Sequence, residues 1–494
     1  MHEHTSPSPT PPRSSSATPL LDALRSVLDA HRGAFLQERT FLRAKALILG
    51  HLFAFARRTI TQALLALGLT DSDWSAFYRL FAEGRIDYER LSGRFFLETL
   101  PHVAPSEPYV AVVDGVQLPR SSNKMPGTSW LKCPRTPPFS PGPHRAQRFL
   151  NLSCLLPKSE AGYSRALPLR FEPAFPEKAV PAVGFSAKKQ WEAALESVEW
   201  LRENLDAAGR EEQTLLVVGD GDFSVAKLRA GLPDPEGVIL MSRCAKNRAL
   251  YELPEEPAEG RRGRPRKYGK KARKPYEWLS EREGWSQKPV LVRSRTIGAR
   301  HRVEGPFVLK GAPQSVVFLV VVGGRKAGKK KGQKERKPAY WLVSALRREG
   351  EGGCGEWVLP YRAEELLSWA WQRWEVEVCH REMKSGFGLG EAQCWGARSA
   401  IMSVRFRAWS YGVMVLAGFR CWGLGAGPAS VRAAGRWWGG ASRWSMGTLW
   451  RGYRSEMWGS YEFRPILMPT RGGWPKKEAL LAGMGNAVAG SLRG

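Results

Sequence analysis

The run YVAVVDG at residues 109–115 decides the fold, because an apolar, β-branched segment ends there in a carboxylate. Its apolar residues predict a strand that is buried on both faces, as in the interior of an α/β sheet. The run LLVVGDG at residues 215–221 has the same pattern and predicts a second such strand. A carboxylate at the end of a buried strand is costly unless it is paired or bound to a metal. Asp114 and Asp220 are therefore the first candidate functional residues.

The elements around these two runs predict the fold class. Strand patterns occur at 148–156, 164–172 and 237–242, and a helical pattern covers 188–208. Three strands, a helix and two further strands predict a mixed α/β layer. Open α/β sheets place their sites beyond the carboxyl ends of such strands. Asp222 competes with Asp220 for the second position, and we prefer Asp220 because it directly ends the apolar run.

A third candidate carboxylate lies in the segment WQRWEVEVCHREMK at residues 371–384. At about 100° per residue, one face of a helix would carry a set of polar side chains within an arc of roughly 60°. This set is Arg373, Glu377, His380 and Lys384. The same projection turns Glu375 and Glu382 to the far side, so the helix offers one carboxylate among cations. The alternative is a solvated face with an Arg373–Glu377 pair, which contributes little to stability.

Composition indicates a folded protein with a polyanionic partner. The chain has 494 residues, 43% of them hydrophobic, and a formal net charge of +28. Clustered Lys and Arg gain affinity for nucleic acids by releasing phosphate counterions. The seven cysteines form no CxxC pair, which predicts a reducing compartment and neither disulfides nor structural zinc. The apolar stretch at 408–419 is too short for a membrane span, and we expect a cytoplasmic protein that acts at the nucleoid and not at a membrane.

Shifts in composition divide the chain into six segments. The predicted segments are a disordered tail at 1–19, a helical DNA-binding region at 20–105, the first part of the core at 106–245, a β insertion with basic loops at 246–356, the last core helices with Glu377 at 357–425, and a Trp- and Gly-rich tail at 426–494. Residues 58–72 of the second segment fit either a helix-turn-helix or an ordinary corner between helices. The sequence leaves both open.

The basic loop of the insertion contains a second candidate DNA contact. The residues RGRPR at 262–266 resemble the core of an AT-hook, which lies in a narrow A·T minor groove through side chains such as Arg264 and Arg266. The alternative is a basic linker that touches DNA without sequence preference.

Three motifs together resemble one family. The spacing Arg373-x3-Glu377-x6-Lys384 resembles the signature of cut-and-paste insertion-sequence transposases of the DDE class, in which a β insertion precedes the final Glu. That signature begins with a Tyr, and its position here is Ala370. The segments VDGVQLP at 113–119 and VGDGDFS at 218–224 are similar to those that hold the family's first and second catalytic aspartates. The interval of 377 − 220 = 157 positions leaves room for the insertion.

The resemblance implies a fold and a site. The fold is α/β, with an RNase H-like mixed-sheet catalytic core, a β-strand insertion and an α-helical N-terminal region. Asp114, Asp220 and Glu377 would be catalytic and would hold two Mg²⁺ ions, with Mn²⁺ as a substitute, since carboxylates suit hard cations. Arg373 and Lys384 would clamp flanking phosphates.

The function implied is that of a DNA transposase. It would hydrolyse double-stranded DNA at the inverted repeats that end a transposon and join the freed 3′-OH to target DNA, as a homodimer that brings two ends together. One rival is an RNase H-like nuclease without strand transfer. A second is a non-catalytic protein, such as a decayed copy, that only binds inverted repeats.

Overall fold

The computed structural model describes residues 16–459, apart from 55–56, 70–72, 83, 134–141, 161, 182–183, 234–236, 256–265, 326–334, 349–354 and 432–442. Most of the predicted N-terminal tail, and the chain beyond 459, lie outside the described residues. The division into six segments stays a prediction.

The described chain begins with five helices. They are α1 (Pro19–Ala30), α2 (Glu38–Phe53), α3 (Ile60–Ala66), α4 (Ser75–Ala82) and α5 (Tyr88–Thr99). Apolar residues at helical spacing bury one face of α1, including Leu21, Leu24 and Leu28. The Thr59 hydroxyl accepts a hydrogen bond from the Gln62 backbone N–H and caps α3. Helices therefore form here as the sequence predicts, while the choice between a helix-turn-helix and a corner stays open.

The core that follows has six strands and two helices. They are β1 (Tyr109–Pro119), β2 (Thr128–Lys132), β3 (Pro143–Leu155), β4 (Ala166–Pro173), α6 (Gln190–Ala207), β5 (Leu215–Gly219), α7 (Ala226–Gly231) and β6 (Val238–Arg243). Strands β4, β3 and β1 pair antiparallel, whereas β1, β5 and β6 pair parallel. The crossover α6 connects the two halves, and the arrangement confirms the RNase H-like mixed sheet.

One expectation about β1 is wrong. Asp114 does not end the strand, which continues to Pro119 while its partner β3 runs alongside from Asn151 to Ala146. The residues after Asp114 change from a fully apolar run to an alternation in which Val116 and Leu118 are buried, and the ladder with β3 satisfies their backbone groups. Asp220, in contrast, does follow the last residue of β5.

The insertion consists of strands β7 (Tyr251–Glu252), β8 (Ser286–Val292), β9 (Arg295–Leu309), β10 (Ala312–Val322), β11 (Ala339–Ser344), β12 (Leu346–Arg348) and β13 (Glu356–Val358). β11 pairs antiparallel with β6, so that eleven of the described strands form one sheet. The buried Arg229 of α7 stabilises the junction between β6 and β11. Its guanidinium donates to the Ser242 hydroxyl of β6 at 2.8 Å and to the Leu342 carbonyl of β11 at 2.9 Å. The insertion is therefore an extension of the core sheet.

The chain then forms helices α8 (Ala363–Gln372), α9 (Trp374–Phe387), α10 (Ala397–Trp422) and α11 (Met446–Gly459). The helix α9 packs on β1 and β4 of the core. The carboxylate of Glu456 in α11 accepts hydrogen bonds from the backbone N–H groups of Leu20 and Leu21, which ties the end of the described chain to its first helix. None of the helices in the described ranges is long and apolar enough to cross a membrane.

Candidate active site

The first two candidate carboxylates lie on neighbouring strands. Val113 is paired in register with Gly219, so Asp114 and Asp220 are the next residues of two parallel strands about 4.8 Å apart. Asp220 accepts a hydrogen bond from the Asp222 backbone N–H at 2.9 Å, which starts a short 3₁₀ turn. A Cβ at Gly219 would lie 2.8 Å from that of Phe223, so this tight exit from β5 admits only glycine.

The third candidate comes from α9, above the sheet. Val376, Cys379 and Met383 are buried and seat this helix on the core. That seating leaves Glu377 on the open side, with its side chain 41% exposed and its Oε1 3.4 Å from Nη2 of Arg373. The helix periodicity had placed both residues on one face, and the structure agrees.

Electrostatics shows that these residues share one neighbourhood. Burial raises the pKa of Asp114 to about 7; the Arg373 guanidinium opposes this rise, and the charges of Glu377 and Asp220 add to it. Burial also raises the pKa of Asp220, with Arg373 and Glu377 again among the groups that act on it. Asp222, the competing aspartate, is exposed. Its charge also raises the pKa of Asp220, but it is not among the charges that raise the pKa of Asp114.

The three carboxylates fit divalent cations chemically. Their oxygens are the ligands that Mg²⁺ and Mn²⁺ prefer, and their mutual repulsion, felt most by the buried Asp114, is what a bound cation would relieve. No three His, Cys, Asp or Glu side chains in the described parts of the chain form a ready-made metal cage. Water and phosphate oxygens would therefore complete the coordination, as is usual for Mg²⁺.

Two polar residues of β3 belong to the site and escaped sequence reasoning. Asn151 lies directly opposite Asp114 in the ladder, and its amide nitrogen is 2.9 Å from Nε2 of the buried His380. Ser153 donates to Oδ1 of Asn151 at 3.1 Å. One feature of the sequence could have revealed them. Asn151 and Ser153 occupy alternate positions of an otherwise apolar strand, which places both side chains on one face.

Glu375 has a structural position behind the site. Its side chain is only 1% exposed, and its two oxygens contact Arg293 of the β8–β9 hairpin and Arg443 of the C-terminal part, the latter at 2.9 Å. The helix projection turned Glu375 away from the carboxylates, and it lies there. Its partners are distant in sequence, so nothing local pointed to them.

The predicted phosphate-binding residues are placed differently from one another. Nη1 of Arg373 is buried and has no hydrogen-bond partner among the described residues. Lys384 is exposed one turn beyond His380, and its charge acts on that imidazole. Arg266 is exposed, whereas Arg264 lies outside the described residues. Ala370, at the position of the signature's Tyr, is buried within α8.

A basic cavity of about 800 Å³ lies at the edge of the sheet where β5 and β6 end. Arg243 follows Ser242, the register partner of Gly219, so the near rim lies beside Asp220. The cavity is lined by Arg243, Lys246, Lys274 and Lys337, together with Tyr276 and Tyr340. Among the described residues no acidic side chain lines it, and this absence of compensating charge favours a polyanion.

The buried Glu375 gives a stability prediction. Glu375→Gln leaves two guanidinium groups without their anion, and we expect the free energy of unfolding to fall by up to about 3 kcal/mol, because both arginines keep some access to water. Urea unfolding measures this change in the free energy of unfolding. Glu377→Gln, at an exposed pair, is the matched control, and a loss as large as that of Glu375→Gln would contradict the assignment.

The buried Asp114 gives a pH prediction for the metal-free protein. Between the ordinary pKa of 3.8 and about 7, the folded state keeps a proton that the unfolded chain has lost. Stability therefore falls as the pH rises through this window. Asp114→Asn abolishes this pH-dependent loss of stability. We therefore expect the change in the free energy of unfolding caused by Asp114→Asn to be more favourable at pH 8 than at pH 4 by about 2–4 kcal/mol. Chemical unfolding in EDTA tests this, with Asp222→Asn as control; an equal effect of Asp114→Asn at both pH values would contradict it.

A comparison with known protein families found a match that covers the two aspartates. The model described as DDE superfamily endonuclease matches residues 33–306, which include β1, β5 and the two aspartates but end before α9. No curated protein matches the chain. Members of the DDE superfamily act on DNA and typically use divalent metal ions. Since the matched residues make up more than half of the sequence, the chain belongs to the DDE superfamily of endonucleases.

Proposed function

We propose that this endonuclease is a DNA transposase of the cut-and-paste type. The observation that carries the proposal is the convergence of three elements: Asp114 and Asp220 follow register-paired residues of parallel strands, and α9, which carries Glu377, packs on β1 with His380 3.6 Å from Asp114. A protein that only binds DNA gains nothing from a buried carboxylate whose neighbours are also acidic, because such a group repels phosphate.

Two Mg²⁺ ions fit the proposal, and Mn²⁺ would replace them. Asp114 would contact both ions, while Asp220 and Glu377 would hold one each. When bound, such a pair supplies an activated water and stabilises the leaving oxygen of a phosphodiester. The interior of β1, the end of β5 and the helix α9 hold the three carboxylates on rigid elements.

The cationic residues in and next to α9 would position the DNA. Arg373, at the junction of α8 and α9, would turn its Nη1, which is buried and has no hydrogen-bond partner in the described structure, to a phosphate oxygen beside Asp114. Lys384 would contact the next phosphate along the same face. His380 would stay neutral, because burial, followed by the charges of Lys384 and Arg373, lowers its pKa to about 3. It is therefore a hydrogen-bonding group and not a source of charge.

The proposed reaction has two steps at one site. In the first, the oxygen of water attacks phosphorus at the transposon end, and the 3′ oxygen leaves with a proton as a 3′-OH. In the second, that 3′-OH attacks a phosphodiester of target DNA, and the displaced strand end takes the proton. Each step exchanges one P–O bond for another, so no further energy source is required. Two ends must meet, and we propose a homodimer bound to inverted repeats.

The basic cavity would guide one strand of the DNA away from the carboxylates. Its cations lie on the same edge of the sheet as Asp220, and β10 and β11, which the residues 326–334 connect, meet at that edge. The AT-hook-like residues Arg264 and Arg266 belong to the connection between β7 and β8. The flanking Tyr268 accepts a hydrogen bond from the Gly311 N–H at the β9–β10 turn, away from that edge. We keep Arg264 and Arg266 as proposed DNA contacts. The six predicted segments fit this division of labour, with the N-terminal helices as the proposed DNA-binding region.

A nuclease of the same fold that lacks strand transfer is the rival function. Joining of a pre-cut DNA end to a plasmid separates the two, since the rival would cleave DNA but leave this substrate unjoined. Ala370 in place of the signature's Tyr is the specific feature that the rival would explain.

The carboxylates give a catalytic prediction. Asp114→Asn, Asp220→Asn and Glu377→Gln should each lower Mg²⁺-dependent cleavage by about 10²-fold or more, because each removes a metal ligand worth several kcal/mol in the transition state. Binding of the DNA end should persist in a gel-shift assay. Glu375→Gln, assayed at low temperature, is the matched control. Normal cleavage by Glu377→Gln, together with loss in Glu375→Gln, would overturn the assignment.

The cavity gives a DNA-binding prediction. Lys246→Ala and Lys274→Ala should weaken binding about equally for all sequences and reduce the slope of log K against log salt by about 1 for each phosphate that the protein no longer neutralises. Lys288→Ala, which removes an exposed cation of β8 that pairs with Glu364 and lies outside the cavity, should change neither quantity. Fluorescence anisotropy over a salt series measures both. An equal effect of Lys288→Ala would show that only net charge matters.

A further inference from the structure

A row of buried polar side chains crosses the sheet beneath α9. Asp114 of β1 and Asn151 of β3 are direct partners in the antiparallel ladder, so their side chains emerge on the same face. His380 descends from α9 onto this pair, and Phe171 of β4 stands edge-on against the imidazole. Asp114, Asn151, His380 and Phe171 are all buried, so bulk water has little access to these contacts.

A chain of contacts leads from Ser153 through Asn151 and His380 to Asp114. The Ser153 hydroxyl donates to Oδ1 of Asn151 at 3.1 Å. The amide nitrogen of Asn151 then faces Nε2 of His380 at 2.9 Å. On the other side of the ring, Nδ1 lies 3.6 Å from Oδ2 of Asp114.

Hydrogen-bond chemistry decides which imidazole nitrogen carries the proton. Because Ser153 occupies Oδ1 of Asn151, the amide presents its NH₂ group to His380, and an NH₂ group only donates. Nε2 must therefore accept, and a neutral imidazole with an accepting Nε2 carries its proton on Nδ1. That N–H faces Oδ2 of Asp114.

We propose that His380 is a positioning residue for Asp114, held as the Nδ1–H tautomer by Asn151 and Ser153. At 3.6 Å the N–H is too far from Oδ2 for a hydrogen bond, but it attracts that oxygen and biases the rotation of the carboxylate, which favours Oδ1 for the space shared with Asp220 and Glu377. The proposal rests on the proposed function, in which Asp114 is a metal ligand. Groups that orient a ligand in this way are typically worth about 10–100-fold in metal affinity or activity.

Two substitutions separate positioning from packing. His380→Asn keeps an amide nitrogen near the place of Nδ1, where it can still donate to Asp114, but no longer reaches Asn151. His380→Gln reaches the place of Nε2 and still meets Asn151, but has no donor beside Asp114. A packing role would make the larger Gln the better replacement, whereas the positioning role favours Asn.

Mn²⁺ binding to the full-length protein without DNA, followed by electron paramagnetic resonance, supplies the test. We expect His380→Gln to weaken Mn²⁺ binding by about 10–100-fold and His380→Asn to stay within about threefold of wild type. Thermal unfolding shows whether both variants are folded. Equal weakening in both folded variants, or none in either, would overturn the proposal.

The tautomer is tested separately, so that a folding defect does not hide the answer. In protein labelled with ¹⁵N-histidine, the resonances absent from His380→Gln belong to His380, and we expect a protonated Nδ1 with an unprotonated Nε2. Ser153→Ala should allow the Asn151 amide to rotate and mix the two tautomers. A protonated Nε2 in wild type would overturn the proposal. If Asp114→Asn leaves Mn²⁺ binding unchanged, the proposed function fails first; if only the His380 results disagree, the positioning role alone fails.

Discussion

The buried ion pair of Glu375 with Arg293 and Arg443 fixes the orientation on which the site depends. Residues two apart on a helix lie about 200° apart around its axis, so a helix that buries Glu375 on one side must present Glu377 on the other. Because a carboxylate that is only 1% exposed is strongly destabilising without partners, α9 cannot rotate without losing both arginines. These arginines come from the insertion and from the C-terminal part, and both regions therefore determine where Glu377 stands.

The site itself is a local accumulation of like charge in a strongly basic protein. Ionisation is most unfavourable for Asp114, because this carboxyl group is buried within a continuous strand. The side chain of Glu377 stays close to water, and Asp220 is intermediate in burial. Arg373 reduces the repulsion without removing it. Without a metal, the mutual repulsion of the three carboxylates is unfavourable. Bound cations, alone or together with DNA, would reduce this repulsion. Folding and ligand binding are thus linked through the same three side chains.

Sequence reasoning succeeded where a pattern is local. The apolar runs located β1 and β5, and helical periodicity separated Glu377 from Glu375. It failed for the continuation of β1 beyond Asp114, because the fully apolar run gives way there to a short alternation in which Val116 and Leu118 are buried, and the pairing with β3 completes the strand. It also missed Arg293 and Arg443, which are 82 and 68 positions from Glu375. Contacts between residues so far apart are set by the tertiary fold, which a single sequence does not display.

The pairing of β11 with β6 has a consequence for how the chain tolerates changes in length. An insertion that completes the ladder of a core strand is not a detachable module, since its removal would expose the hydrogen-bonding edge of β6, and open edges of this kind promote aggregation. Arg229 would also lose its acceptor on β11 and become a buried cation with fewer partners. Tolerance to added or deleted residues should therefore lie in the connections at 256–265 and 326–334, while the strands between them behave as core.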